Sequence, residues 1–280
     1  MVAFAMGRVG RGLEIGERLL GRRRLWRLGR LIYAYSRRDL PEALAVDAEQ
    51  GVVRRLAAGH ATDRQWTVFD VGAFRGRWSL ALLGHRPESR IFAFEPTAAS
   101  REILRKTLAD RVEVIPKAVS DQVGEAAFVV HGQAGEVNMD GVNRLSVDGV
   151  GETVPVTTLD SFCAERDLEQ VDIVKIDAEG HDLAVLRGAE ALLRAGRIAY
   201  VQFEYNHHWL QTRSQLRDVF VLAEGTRYGV GKIVPEGVEL YDSWHPEMEW
   251  FFQADYALVR DDVAPLIAVR GSYDGANTYA

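Results

Sequence analysis

The chain of 280 residues holds a single cysteine, Cys163. One thiol cannot close an intrachain disulfide or build a cysteine-based zinc or iron–sulfur site, and the scarcity suits a reducing cytoplasm. No apolar run approaches the eighteen or so residues of a membrane span, and the opening MVAFAM is too short for a signal-peptide core. Internal repeats and low-complexity tracts are missing as well. What is there, 47% hydrophobic and 26% charged, can bury a sizeable core, so a soluble, cytoplasmic protein is expected.

The net charge of −6 is unevenly spread. The first forty residues carry ten arginines against Glu14, Glu17 and Asp39, about +7, which leaves −13 for the rest. Leu28, Leu31, Ile32 and Tyr35 follow an i, i+3, i+4, i+7 pattern among those arginines, predicting an amphipathic helix. Such a helix packs on the body or on a second subunit, giving a homo-oligomer, or touches a membrane surface or an anionic substrate. Glycines at 10, 12, 16, 21 and 29 interrupt it, and the first twenty residues are expected to be disordered. The acidic body offers no basic, aromatic-studded face, so nucleic acid is not an expected partner.

After LPEALAVDAEQGVVRRLAA, which reads as a helix, strands and helices alternate. The strand runs are 66–72, 90–96, 112–120, 171–177 and 198–205, each apolar without the alternation of a half-exposed strand. Helical stretches lie at 77–84, 97–109, 159–167, 179–195 and 211–224. This order predicts an α/β fold with a doubly wound, mostly parallel sheet. Two further strands, 125–132 and 152–159, bracket a polar, glycine-rich loop at 133–151, a lid or a disordered segment. The expected organisation is a basic helical arm (1–55), one nucleoside-binding domain (56–262) and a C-terminal tail (263–280).

In such a sheet, ligands sit beyond the carboxyl ends of the strands where strand order reverses. VFDVGAFRG places Asp70, Gly72 and Gly76 at the end of the first strand, with Ala73, Phe74 and Arg75 between the glycines. The spacing is G-x-x-x-G and lacks the third glycine of a dinucleotide fingerprint, which disfavours a nicotinamide-dependent oxidoreductase. The second strand ends in Glu95 and Pro96, twenty-five residues after Asp70. A carboxylate there can accept both hydroxyls of a ribose, each bond worth roughly 1.5–3 kcal/mol, or it can cap the helix beginning near Thr97. An acid at the first turn favours a cofactor whose near end is positive. S-adenosylmethionine, with its ammonium and sulfonium, fits that description.

VFDVGAFRG, FAFEP, AVSD and above all VDIVKIDAEGHDLAVLRGA resemble the FkbM-type family of S-adenosylmethionine-dependent methyltransferases, over about residues 66 to 205. The resemblance implies a class I, Rossmann-like methyltransferase using S-adenosyl-L-methionine. It implies that Asp70, Gly72 and Gly76 line the methionine part, with Phe74 and Arg75 in the same bend and Arg75 available to the carboxylate. Glu95, with Pro96, would hold the ribose; Ala118 and Val119, with Asp121, the adenine edge; and Asp177 would sit near the transferable methyl. Asp182 replaces the family's usual glutamate, and GAFRG its more usual GANIG or GANQG.

Methyl transfer to an alcohol needs the acceptor about 3 Å from the methyl and a base to take its proton. FEYNHHW supplies Glu204, Asn206, His207 and His208 at the end of the fifth strand. His207 and His208 are the candidate bases, with Glu204 orienting a ring or taking the proton itself. Alternatively Asp177, Glu204 and a histidine hold Mg2+, although no spacing requires a metal. The tryptophans Trp209, Trp244 and Trp250 either wall an acceptor pocket or pack in the core. The expected reaction is O-methylation of a hydroxyl on a secondary metabolite, sugar or lipid-linked glycan. The competing readings are the oxidoreductase and a non-catalytic nucleoside-binding scaffold subunit assembled through the arm.

Overall fold

The structure is a computed structural model that describes residues 12, 14–39, 42–60, 64–129, 144, 145 and 152–271. The chain forms two compact units, Met1–Pro41 and Glu42–Ala280.

In the first unit residues 14–20 are helical, where the glycine content predicted disorder; residues 1–11 and 13 lie outside the described ones. Gly21, at φ 75°, interrupts the helix, and α1 follows as Arg22–Ser36. The last turn of α1 is closed by the Arg37 amide donating to the Tyr33 carbonyl at 3.0 Å.

In the second unit α2 (Glu42–Gly59) precedes β1 (Thr67–Val71), α3 (Arg77–His85), β2 (Arg90–Phe94), α4 (Ala98–Leu108) and β3 (Glu113–Ile115). After a smaller sheet the chain returns as α5 (Leu159–Glu165), β8 (Val171–Ile176), α6 (Asp182–Arg187), α7 (Glu190–Arg194) and β9 (Ile198–Tyr205). It ends with α8 (Leu216–Ala223), β10 (Tyr228–Val234), β11 (Gly237–Tyr241), β12 (Ala254–Arg260), α9 (Ala264–Ile267) and β13 (Ala268–Val269). The nine-stranded sheet runs β13-β11-β10-β12-β9-β8-β1-β2-β3. Strands β3, β2, β1, β8 and β9 are parallel; β12 then enters antiparallel between β9 and β10. The doubly wound, mostly parallel sheet is therefore present. β1 pairs with both β2 and β8, so strand order reverses there and the crevice opens at their carboxyl ends. Every residue of β1 and β8 is buried, the polar Asp70, Asp172 and Lys175 included, so both faces of these strands are covered.

Four expectations change. The strand at 112–120 is two strands, because Pro116 has no N–H to continue a ladder. β3 stays in the large sheet, while β4 (Ala118–Val119) pairs with β7 (Glu152–Thr157) in a second sheet, β4-β7-β5-β6, with β5 (Gly124–Val129) and β6 (Arg144–Leu145). β6 falls within the glycine-rich 133–151 segment; the remainder of that segment lies outside the described residues. The helix at 179–195 is broken at Gly188, where a Cβ would stand 2.0 Å from the Ser120 carbonyl oxygen. The Asp160 carboxylate restarts it as α7 by accepting the Ala191 and Leu192 amides at 2.9 and 3.0 Å. A boundary at residue 55 would cut α2, which buries Ala48, Val52, Val53 and Leu56; the compact unit begins at Glu42. Within 263–280, β13 joins the sheet beside β11, and residues 272–280 lie outside the described ones.

The two faces of the sheet differ in chemistry. On one, Phe69, Phe92, Phe94 and Phe162 meet edge to face at centroid distances of 4.9–5.7 Å, each contributing roughly 1.5–3 kcal/mol of burial. Side chains alternate along a strand, so the registered partners Asp70, Lys175 and Gln202 of β1, β8 and β9 point to the other face. There Gln202 reaches α2, its Nε2 donating to Glu49 Oε2 at 2.8 Å.

Candidate functional site

The bend after β1 is shaped by contacts that admit no larger residue. Gly72 has φ +74°, and a Cβ on it would lie 1.9 Å from the backbone oxygen of Asp177 at the end of β8. Gly76, at φ +73° ahead of α3, faces Leu104 and Leu108 of α4, which a Cβ would meet at 2.7 and 2.5 Å. Between them Phe74 takes φ +45° and leaves its ring 45% exposed, with the Arg75 guanidinium 5.0 Å from the ring centroid. Arg75 Nε is buried without a hydrogen-bond partner. Asp70 is fully buried: it accepts Ser79 Oγ at 2.6 Å and lies 3.7 Å from Lys175 Nζ. Burial raises its pKa, against the pull of Lys175. In this arrangement Asp70 ties the first turn of α3 to the sheet and does not open onto the crevice.

Glu95 follows β2 and reaches the helix start, as the capping alternative expected, and it also accepts a backbone amide of the bend. Oε1 accepts the Thr97 amide at 3.0 Å and Thr97 Oγ1 at 2.7 Å, and Oε2 accepts the Phe74 amide at 3.2 Å. Burial raises its pKa. A carboxylate offers about four lone-pair sites, so one remains, and a second hydroxyl must displace one of these donors. The Pro96 carbonyl accepts Arg101 Nη1.

Ala118 and Val119 of β4 are buried, and Ser120 after them lies 3.1 Å from Asp121 Oδ1. Ser120 Oγ also meets His181 Nε2 at 2.8 Å. Burial lowers the His181 pKa, against the pull of Asp121. His181 was not anticipated; its nearness to Ser120 is created by the Gly188 contact, which has no local sequence signal.

Asp177 extends past β8 with its side chain 41% exposed and accepts Lys175 Nζ at 3.1 Å. Burial alone would lower the Lys175 pKa, but Asp177, Asp70 and Glu49 outweigh it and hold the ammonium charged. The loop that follows is folded onto the turn at the end of β9. Glu179 has φ +52°, and Gly180, at φ +90°, would strike the His208 backbone 2.7 Å away if it carried a Cβ. Asp182, fully buried, holds the loop by accepting the Ala178 and Gly180 amides at 3.3 and 3.0 Å. Burial, with Asp177 nearby, pushes its carboxyl up to about 7.

The His207–Leu210 turn is capped by Asn206, whose Oδ1 accepts the His208 amide at 2.8 Å while Nδ2 donates to Glu204 at 2.6 Å. The two histidines, expected to act alike, are placed differently. His207 is exposed, whereas His208 Nδ1 lies 3.2 Å from Glu179 Oε2. Glu179, not Glu204, is thus the carboxylate against a histidine ring. Glu204 instead accepts Asn206 and Gln253, and burial followed by repulsion from Asp177, Glu179, Asp182 and Asp255 raises its pKa well above the usual range. Carboxylate oxygens of Asp177, Glu179 and Glu204 lie within 4.8 Å of one another, a spacing that could hold a metal ion, with Glu179 in the place foreseen for a histidine. Trp209 is fully buried in the core, Trp244 packs on it and donates to Glu249 at 2.8 Å, and Trp250 is 43% exposed.

Behind these groups lies a polar layer that sequence reading missed. The Glu49 and Asp255 carboxyl groups lie close together, and burial raises both pKa values. The Tyr200 hydroxyl and Gln202 Oε1 are buried beside them without partners. The signal was the alternation Tyr200, Gln202, Glu204 within a run read as uniformly apolar.

Residues 70–229 match the family model described as the methyltransferase FkbM domain. The 2-O-methyltransferase NoeI of Sinorhizobium fredii is 26% identical over 151 residues, covering 49% of this chain and 62% of NoeI. The hexuronic acid methyltransferase AglP of Haloferax volcanii is 26% identical over 158 residues, covering 55% of this chain and 62% of AglP. The chain therefore spans a little under two thirds of either relative. Among solved structures, a precorrin-6y C5,15-methyltransferase from Geobacter metallireducens aligns at a TM-score of 0.39 and 12% identity, over 75% of this chain and 87% of that one.

Proposed function

Because the chain belongs to the FkbM methyltransferase family, we propose that it transfers a methyl group from S-adenosylmethionine to a hydroxyl oxygen of a sugar or glycan. One observation carries the reading: the bend from Asp70 to Gly76, Glu95, and the group Asp177, Glu179, Glu204 and His208 all stand at the carboxyl ends of adjacent parallel strands. The sugar follows from the 2-O- and hexuronic acid methyltransferases to which the chain is similar.

The residues present fit the cofactor. Glu95 retains acceptor capacity for a ribose hydroxyl, and Arg75 Nε is buried and unpaired near the place for a carboxylate. When bound, S-adenosylmethionine supplies an electrophilic methyl on a positively charged sulfur. The acceptor oxygen would form the new C–O bond as the methyl's C–S bond breaks, the electron pair going to sulfur to leave S-adenosylhomocysteine, and His208 takes the O–H proton. Glu179 at Nδ1 fixes the ring and stabilises the imidazolium that results. Asp177 and Glu204 accept hydrogen bonds from acceptor hydroxyls and so set which one faces the methyl. General-base assistance of this kind is worth about 10²–10⁴ in rate.

A second reading is favoured by the carboxylate spacing: Asp177, Glu179 and Glu204 hold a divalent ion that lowers the acceptor's pKa. Turnover measured after exhaustive chelation separates the two, since the histidine route survives chelation and the metal route does not. For the function as a whole, S-adenosylhomocysteine is expected to raise the melting temperature while NAD leaves it unchanged. Radiolabelled methyl from S-adenosylmethionine is expected on a member of a panel of uronic acids and neutral sugars. Stabilisation by NAD instead would overturn the proposal in favour of an oxidoreductase, and tight cofactor binding with no acceptor in the panel would favour a scaffold subunit.

A further inference from the structure

The segment 18–38 contains eight arginines and no aspartate or glutamate. Its helix α1 buries none of its side chains. Trp26, Leu28, Leu31, Ile32 and Tyr35 are 62%, 44%, 67%, 59% and 85% exposed. Exposed apolar side chains of this size are costly in water unless something covers them. Leu28, Leu31, Ile32 and Tyr35 recur at helical spacing and form one stripe, and Arg23, Arg27 and Arg30 recur at the same spacing on the adjoining face. Trp26 lies beyond those arginines, under the Arg30 guanidinium at 5.7 Å, and Arg37 sits over Tyr33 at 5.5 Å.

From this we infer that α1 docks the protein on an anionic phospholipid surface, lying in the plane of the interface with the Leu28–Tyr35 stripe towards the acyl chains. At 1.5 Å per residue its fifteen residues reach only about 22 Å, too short to cross a bilayer. Among the described residues no helix is long and apolar enough to do so. Arginine stems lie along apolar surface while their heads reach phosphate, and tryptophan and tyrosine prefer the headgroup zone. Charge decides against a second copy of the same helix: pairing two arms would bring two acid-free, eight-arginine segments together, whereas lipid phosphates neutralise them. Docking of this kind does not depend on the methyl-transfer reading.

The test uses the full chain and vesicles of phosphatidylcholine alone or mixed with phosphatidylglycerol, followed by co-sedimentation. Binding is expected to the mixed vesicles, at least about tenfold weaker to phosphatidylcholine and weakened by salt. Leu31→Ser with Ile32→Ser, and separately Arg23→Glu with Arg27→Glu and Arg30→Glu, should each cut binding about tenfold or more. Both variants should keep the wild-type melting temperature of the Glu42–Ala280 unit and its affinity for S-adenosylhomocysteine. Absence of binding to mixed vesicles overturns the inference, as does binding that both variants retain. A vesicle-indifferent dimer that Leu31→Ser with Ile32→Ser dissolves would also overturn it and assign the stripe to a second copy.

Discussion

Replacing Gly72 with alanine puts a methyl group into space already held by backbone. The new carbon would lie 1.9 Å from the Asp177 carbonyl oxygen, and at φ +74° the residue stands in a region that alanine enters at a cost of about 1–2 kcal/mol. Relief needs the ends of β1 and β8 to separate by more than 1 Å, roughly, which strains the Asp177 amide's 3.1 Å bond to the Val71 carbonyl and displaces the loop bearing Glu179. Overpacking of that kind adds about 1–3 kcal/mol, for a total near 2–5 kcal/mol. In a unit of this size each kcal/mol moves the melting temperature by about 2–4 °C, so a drop of roughly 10 °C is expected by calorimetry. Gly84→Ala is the control. Gly84 is exposed in α3 with nothing within 4 Å of where the alanine methyl would stand, and alanine there should stabilise by about 0.4–1 kcal/mol. Gly72→Ala melting within a degree or two of wild type would refute the close approach of the two strand ends.

Other substitutions separate the roles assigned at the crevice. Glu95→Ala should weaken S-adenosylhomocysteine binding at least about tenfold by titration calorimetry, the loss of one charge-assisted hydrogen bond; unchanged affinity would reduce Glu95 to a cap for the Thr97 helix. His208→Ala and Glu179→Gln should lower kcat by about 10²-fold or more while cofactor affinity holds, and exposed His207→Ala should leave both nearly intact. Equal kcat losses in the two histidine variants would contradict the Glu179 pairing. Stability should also respond to pH. Burial raises Asp182 from 3.8 to about 7, so the folded state binds the extra proton between those values and stability falls as pH rises through that window. Asp182→Asn should flatten this part of the curve in urea titrations at several pH values, and an unchanged slope would show that Asp182 does not titrate there.

The order of strands and helices was legible because it depends on local pattern. The fully buried runs of β1 and β8 can sit only in a sheet covered on both faces, and the glycines at 72 and 76 mark a turn that a larger residue cannot make. Those features, with Glu95 at the end of the next strand and the KIDAEG block, were enough to place a crevice and point to its family. The pairings inside the crevice were not legible. Glu179 meets His208 across 29 residues, Ser120 meets His181 across 61, and Gln202 meets Glu49 across 153, and each contact exists only because elements distant in sequence are packed together. Hence sequence named an acid/base cluster, and packing chose its members: it buried Asp70, exposed His207 and drew in Glu179. Pattern along a chain records which face of an element avoids water, whereas the partner of a polar side chain is set by the register between elements, and no single segment contains that information.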